Sequence, residues 1–159
     1  MRKIIPLIIV CICLLAACST IDCPLNNGVF TAYKLTGTVT TLADTLTIST
    51  DISDGNDSVL INRDVNVDSF LLPVSYQRNE DTYFFKIYNK TSSTTDTVRV
   101  EKDNKPHFES IDCNPSIFHT ILGVKYTHNR IDSIVINNAN VNYDATKAHF
   151  HIYFKSASN

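Results

Sequence analysis

The sequence predicts an all-β protein built as a single β-sandwich domain, and three observations carry that expectation. The chain is rich in Thr, Ser, Val, Ile, Tyr and Phe, with only 4 Gly and no Trp in 159 residues, a mixture that favours strands over helices. No stretch repeats its apolar residues at the 3.6-residue period of a helix, whereas several alternate with period two. Clusters of Asp, Asn, Ser, Thr and Gly separate these runs at short intervals. Short strands divided by regular turns are the pattern of a sandwich. An immunoglobulin-like topology is one arrangement that fits this spacing, although the core Trp of true immunoglobulin domains is absent.

Ten runs are predicted as strands: residues 29–35, 45–50, 58–62, 69–74, 82–88, 97–101, 107–112, 118–126, 133–136 and 149–154. In the second, Leu46 and Ile48 point one way and Thr45, Thr47 and Ser49 the other. Tyr83, Phe85 and Ile87 share a face, as do Val98 and Val100. In the last, Phe150, Ile152 and Phe154 are expected in the core, with His149, His151 and Tyr153 opposite, towards solvent or a neighbouring strand. The intervening turns are Ser53-Asp54-Gly55-Asn56, Arg78-Asn79-Glu80-Asp81, residues 91–95 and residues 137–140, all rich in side chains that bond back to their own backbone.

The N-terminus carries a different message. Arg2-Lys3 precede an apolar run from Ile4 to Leu15. That run, about 12 residues, falls short of the roughly 20 that span a bilayer. A basic start, a short apolar stretch and then small residues make a secretory signal. Leu15-Ala16-Ala17-Cys18 resembles a lipobox. The resemblance implies diacylglycerol on the Cys18 thiol and cleavage that leaves Cys18 as the first residue. The chain then divides into a signal peptide at 1–17, a lipidated cysteine and tether at 18–22, and the sandwich at 23–159. Cleavage leaves 12 basic against 16 acidic side chains, a charge of about −4. No basic stripe survives, which argues against nucleic acid as a partner. Only Ser19 to Asp22 separate Cys18 from Cys23, about 17 Å when extended. The expected partner is therefore the membrane itself, with a second envelope protein as a further one. Ser19, rather than Asp, follows Cys18, and Asp22 is the lone acidic residue of the tether. These features point to the outer membrane, with the domain facing the periplasm.

Cys23 and Cys113 remain as a pair in a compartment that permits disulfides. Their surroundings echo each other: Thr20-Ile21-Asp22-Cys23-Pro24 and Ser110-Ile111-Asp112-Cys113-Asn114-Pro115. A bridge would stabilise the fold by about 4–5 kcal/mol in the chain-entropy model. The alternative, a redox or metal-binding thiol pair, lacks a CxxC motif or Cys/His ligand spacing.

Three segments together carry a wider resemblance: Ile21-Asp22-Cys23-Pro24-Leu25-Asn26-Asn27, Pro106-His107-Phe108-Glu109-Ser110-Ile111-Asp112-Cys113, and Ala148-His149-Phe150-His151-Ile152-Tyr153-Phe154. They resemble a family of small Bacteroidetes lipoproteins with a domain of unknown function. The resemblance implies a source and a location and transfers no catalytic residue.

Candidate sites are few. His149 and His151, two apart on a strand, can present two imidazoles to one zinc or copper ion, if His107, His119, His128 or a carboxylate completes the set. Alternation alone also explains their spacing. Asp51, Asp54, Asn56 and Asp57 crowd one turn with oxygen ligands suited to calcium, but their spacing is not that of an EF-hand. Four tripeptides, Asp44-Thr45-Leu46, Asp57-Ser58-Val59, Asp96-Thr97-Val98 and Asp132-Ser133-Ile134, resemble the acceptor motif for O-glycosylation in Bacteroidetes. Thr45, Ser58, Thr97 and Ser133 would be the acceptors, although Asp and Ser/Thr before an aliphatic residue also simply open a strand. No catalytic motif is present after the signal, so no enzymatic activity and no cofactor are expected. The leading expectation is a lipid-anchored structural or protein-interaction module. Its rivals are a ligand- or carbohydrate-binding module using exposed Tyr side chains and the Asp-rich turn, and a metal-binding domain at His149/His151.

Overall fold

The computed structural model describes Cys23 and residues 28–52 and 57–156. Among these the regular structure is all β, in ten strands: β1 Phe30–Leu35, β2 Thr45–Asp51, β3 Asp57–Asp64, β4 Ser69–Pro73, β5 Glu80–Tyr88, β6 Ser93–His107, β7 Ser116–Tyr126, β8 Ile131–Ile136, β9 Asn140–Val141 and β10 Phe150–Phe154. They form a four-stranded sheet, β4-β1-β10-β8, and a six-stranded sheet, β3-β2-β5-β6-β7-β9. The first and last strands lie side by side in parallel, Tyr33 opposite Phe150, and every other pairing is antiparallel. An immunoglobulin domain splits its strands ABED and CFG. The large sheet instead sets the antiparallel pair β3-β2 beside a β5-β6-β7 meander, so the immunoglobulin order is not the one adopted.

The period-two patterns decide which faces meet. Leu46, Ile48, Tyr83, Phe85, Ile87, Val98 and Val100 line the inner face of the large sheet, and Tyr33, Leu35, Leu72, Phe150, Ile152 and Phe154 that of the small one, all buried. Aromatic rings join the layers. Tyr33 stacks between Phe70 and Phe150 at centroid distances of 4.9 and 4.7 Å, and Phe85 of the opposite sheet meets Tyr33 and Phe70 edge-on at 6.2 and 5.8 Å. Such offset and T-shaped contacts each add about 0.5–1.5 kcal/mol beyond burial.

The observed elements differ from the expected ones at several places, β6 and β9 above all. Residues 107–112 are not a strand: β6 ends at His107, and the chain turns back towards β7. β6 continues past Glu101 through Lys102-Asp103-Asn104-Lys105-Pro106, a stretch whose polarity hides a strand. β5 begins at Glu80, which pairs with Glu101, so beyond that point β7 is the one described strand alongside. Pro106 is tolerated because that side of the strand has no ladder to feed. β9, two residues long, is too short to leave a pattern. Opposite the step from Glu101 to Lys102 the register shifts, and Leu122 bulges out of β7.

Candidate functional site at one end of the sandwich

One end of the sandwich gathers the start of β1, the end of β4, the turn from Ser75 to Asn79, the end of β6 and the start of β7. Its foundation is a buried ion pair. Lys102 follows Val98 and Val100 on the inner face, and its ammonium lies 3.3 Å from the Asp81 carboxylate, both side chains almost wholly buried. Burial alone disfavours both charges, pushing the Asp81 carboxyl up and the Lys102 ammonium down despite their mutual attraction. The pair holds the turn: Lys102 donates to the carbonyls of Ser75, at 2.8 Å, and Arg78, while Asp81 accepts the Ser75 N–H at 3.1 Å.

Asn104, two residues on, extends the network. Its amide nitrogen donates to the Arg78 carbonyl and to the side-chain oxygen of Asn79. Its own oxygen is thereby turned towards Nδ1 of His119, 2.7 Å away. Nδ1 therefore carries the ring proton, and Nε2 is a bare acceptor. That Nε2 is buried and has no partner. Desolvation, reinforced by the nearby Lys102 charge, lowers the His119 pKa to about 4, so the ring is neutral at neutral pH.

His119 stands between two clefts. The first, about 390 Å³, is mainly apolar and is lined by Val29, Phe30, Val74, Tyr76 and Ile117. The second, about 380 Å³, mixes Phe118 and His107 with Lys105, Asn140 and Asn142. Phe118 stacks on His107 at 4.1 Å and meets Tyr143 edge-on at 4.9 Å, which makes an aromatic wall with amides opposite. Such a mixture of apolar surface and a few polar groups is what small-molecule sites use.

The Cys23–Cys113 disulfide closes this same end, with Cα atoms 5.5 Å apart. Gly28 and Pro115, near the two cysteines in sequence, both border the apolar cleft. The loop at 108–115 exposes Phe108 and Ile111, and Tyr76 is exposed on the cleft rim.

The other sequence-predicted residues lie elsewhere. His149 is a correction. It precedes β10 and is completely buried rather than solvent-facing. Its Nδ1 accepts the Ala32 N–H at 2.9 Å, and its Nε2 donates to the Asn140 carbonyl at 3.2 Å. The ring thus links β1 of one sheet to β9 of the other, and burial lowers its pKa. The alternation failed because β9 and the chain before β10 close over the position. His151 is half-buried, beside Lys34 and Val135 on the neighbouring strands. Tyr153 is also half-buried, and its ring covers Gly37, whose φ of +89° and 2.7 Å Cβ clearance leave room for glycine only. His107 pairs with Glu109, and His128 bonds the Asp132 carbonyl. Among the described residues, no three His, Cys, Asp or Glu side chains gather as metal ligands.

Thr45, Ser58, Thr97 and Ser133 are half-exposed, on β2, β3, β6 and β8. The Asp of the third tripeptide has a structural role. Asp96 is buried and accepts the N–H groups of Asn129, Arg130 and Ile131 and the Thr127 hydroxyl, all within 2.9 Å. Asp44 pairs with Arg130 at 2.6 Å. Asp51 and Asp57 pair across β2 and β3, while Asp54, Asn56 and Cys18 lie outside the described residues. Sequence reading singled out neither Asp81 nor Lys102 as a site. The signal for Lys102 was present, since it continues the inward positions 98 and 100.

Fold and site together define a disulfide-closed, two-sheet β domain with clefts at the bridged end. The chain belongs to DUF6452, a family of unknown function, whose pattern it matches over residues 45–154. The match opens on the first residue of β2 and closes on the last of β10. No curated protein and no solved structure matches the chain.

Proposed function

We propose that this is a non-enzymatic lipoprotein of the bacterial envelope, held by lipid on Cys18 at the periplasmic face of the outer membrane as a structural or protein-interaction module. The observation that carries the reading is the position of the bridge. Cys23, five residues from the lipobox cysteine, is joined to Cys113 at the cleft-bearing end, so a short tether presents that end to the bilayer. The use of the buried polar groups supports a structural role. Asp96 organises a turn, His149 ties two sheets, and Lys102 with Asp81 braces the Ser75–Asn79 segment. Labelled fatty acid should enter the wild-type chain and be lost in Cys18→Ala, and the wild type should fractionate with outer membranes and resist protease in intact cells. Equal labelling of both proteins refutes the anchor, and digestion of the domain in intact cells refutes the sidedness.

A second reading, ligand binding, is favoured by the clefts beside His119. The apolar cleft lined by Val29, Phe30, Val74 and Ile117 suits a ligand with an apolar body. A fluorescent long-chain alcohol should bind the wild-type protein saturably at one site and lose at least about tenfold in affinity on Val74→Arg, which fills the cleft with a charge. Equal binding by both proteins removes this reading.

A further inference from the structure

We propose that the loop at 108–115 is the membrane-contacting tip of the domain, with Ile111 and Phe108 entering the boundary between lipid headgroups and acyl chains. The inference rests on the anchored reading above and adds the surface that meets the bilayer. Ile111 is 98% exposed and Phe108 64%, the former the most exposed of the large apolar side chains described. Neither belongs to the buried core, and two large apolar side chains this exposed on one loop are free to meet an apolar layer outside the molecule. Tyr76, 66% exposed, stands on the rim of the cleft that Pro115 also borders, and a ring with a polar tip suits the interfacial zone.

The tether identifies the occupant. Cys113 closes the loop and is bonded to Cys23, and only Ser19 to Asp22 lie between Cys23 and the anchoring Cys18. At about 3.4 Å per residue these cannot hold the bridge further than roughly 17 Å from the lipidated thiol. Whatever surface holds the anchor is the surface within reach of Ile111. Charge sets the kind of lipid. Glu109, within 3.0 Å of His107, and the exposed Asp112 both bring carboxylates to this loop, so a zwitterionic headgroup layer is accommodated better than a strongly anionic one.

The absence of Trp from the chain supplies a clean probe. Full-length lipidated Ile111→Trp, and Val65→Trp as its control, would be reconstituted into vesicles of phosphatidylethanolamine and phosphatidylcholine with brominated acyl chains. Val65 is exposed near the Leu42–Val67 bridge, at the opposite end of the sandwich. Both positions are exposed, so neither substitution disturbs the core. After flotation, the emission of Ile111→Trp should shift to the blue and lose roughly half its intensity or more relative to unbrominated vesicles, with Val65→Trp unchanged, as for a side chain 5–10 Å into the boundary. Flotation with equal, water-like emission from both variants overturns the inference and leaves the anchor standing. A blue-shifted Ile111→Trp that bromine does not quench assigns the loop to a protein contact and also overturns it. Failure of the wild-type chain to float overturns the anchored reading and this inference with it.

Discussion

Asp96 shows how much one buried carboxylate can organise. Burial pushes its pKa up, but the Thr127 hydroxyl and three backbone N–H groups prevail, and the net shift is downward. Its stabilisation is therefore present above the unfolded carboxylate range near 3.9 and is lost as pH falls through the lower folded value. Asp96→Ala should cost about 3 kcal/mol or more in urea denaturation, because it orphans the turn from Thr127 to Ile131. Thr97→Ala, one residue on, should cost under about 1 kcal/mol. His149 is a comparable case: His149→Ala leaves the Ala32 N–H and the Asn140 carbonyl unpaired in the core, and should lower stability by about 2–3 kcal/mol. The two buried imidazoles also set a pH dependence. The folded pKa of His119, about 4, lies below the roughly 6.5 of an unfolded histidine, and that of His149 is also lowered. The unfolded chain takes up these protons first as pH falls. Stability should be complete above about pH 6.5 and decline towards pH 4, with a ceiling of about 3 kcal/mol from His119. Urea midpoints measured between pH 7 and 4.5 check this, and His119→Gln should shallow the slope.

At the scale of elements, β6 shows why polarity is a poor guide to where a strand ends. Its second half is held by β7 on one side and by the turn that Lys102 and Asp81 brace. Removing one member of a buried ion pair leaves an uncompensated charge. Lys102→Met should therefore cost about 3–5 kcal/mol. Asp81→Leu alone should cost a similar amount. The double variant should recover much of the loss, because two apolar side chains need no mutual solvation, although the freed Ser75 and Arg78 carbonyls keep recovery incomplete. A double variant as unstable as the sum of its singles would mean that the turn, rather than the charge pair, carries the energy.

For the whole molecule, the bridge spans 90 residues of sequence and restricts the unfolded chain more than any local contact does. Cys113→Ser should destabilise the domain by about 4–5 kcal/mol if unfolded-chain entropy dominates, read as a fall in melting temperature. The same loss should follow reduction of the wild-type protein. Native protein should show no reactive thiol from Cys23 or Cys113 before reduction. Rapid reaction of two thiols in the folded, unreduced protein would exclude the bond. Because the bridge and the clefts share one end, reduction should also loosen the 108–115 loop before the aromatic core around Tyr33, Phe70, Phe85 and Phe150.

The sequence by itself determined the class of fold and most of its strands. Alternation at Leu46/Ile48, at Tyr83/Phe85/Ile87 and at Phe150/Ile152/Phe154 is a one-dimensional signal of which side of a strand is dry. The Cys23–Cys113 pairing was legible too, because few cysteines remained to choose from. What only the tertiary structure decided is everything that depends on a third element closing over a strand. His149 sits on the face that alternation marks as wet, yet β9 and the chain before β10 bury it. Lys102 and Asp81 are charged residues inside the molecule because they meet there, and neither sequence neighbourhood names the other. The parallel seating of β1 against β10 and the clefts around His119 likewise come from residues far apart in the chain. Periodicity reports the environment of a single strand, and a site is made where several strands converge.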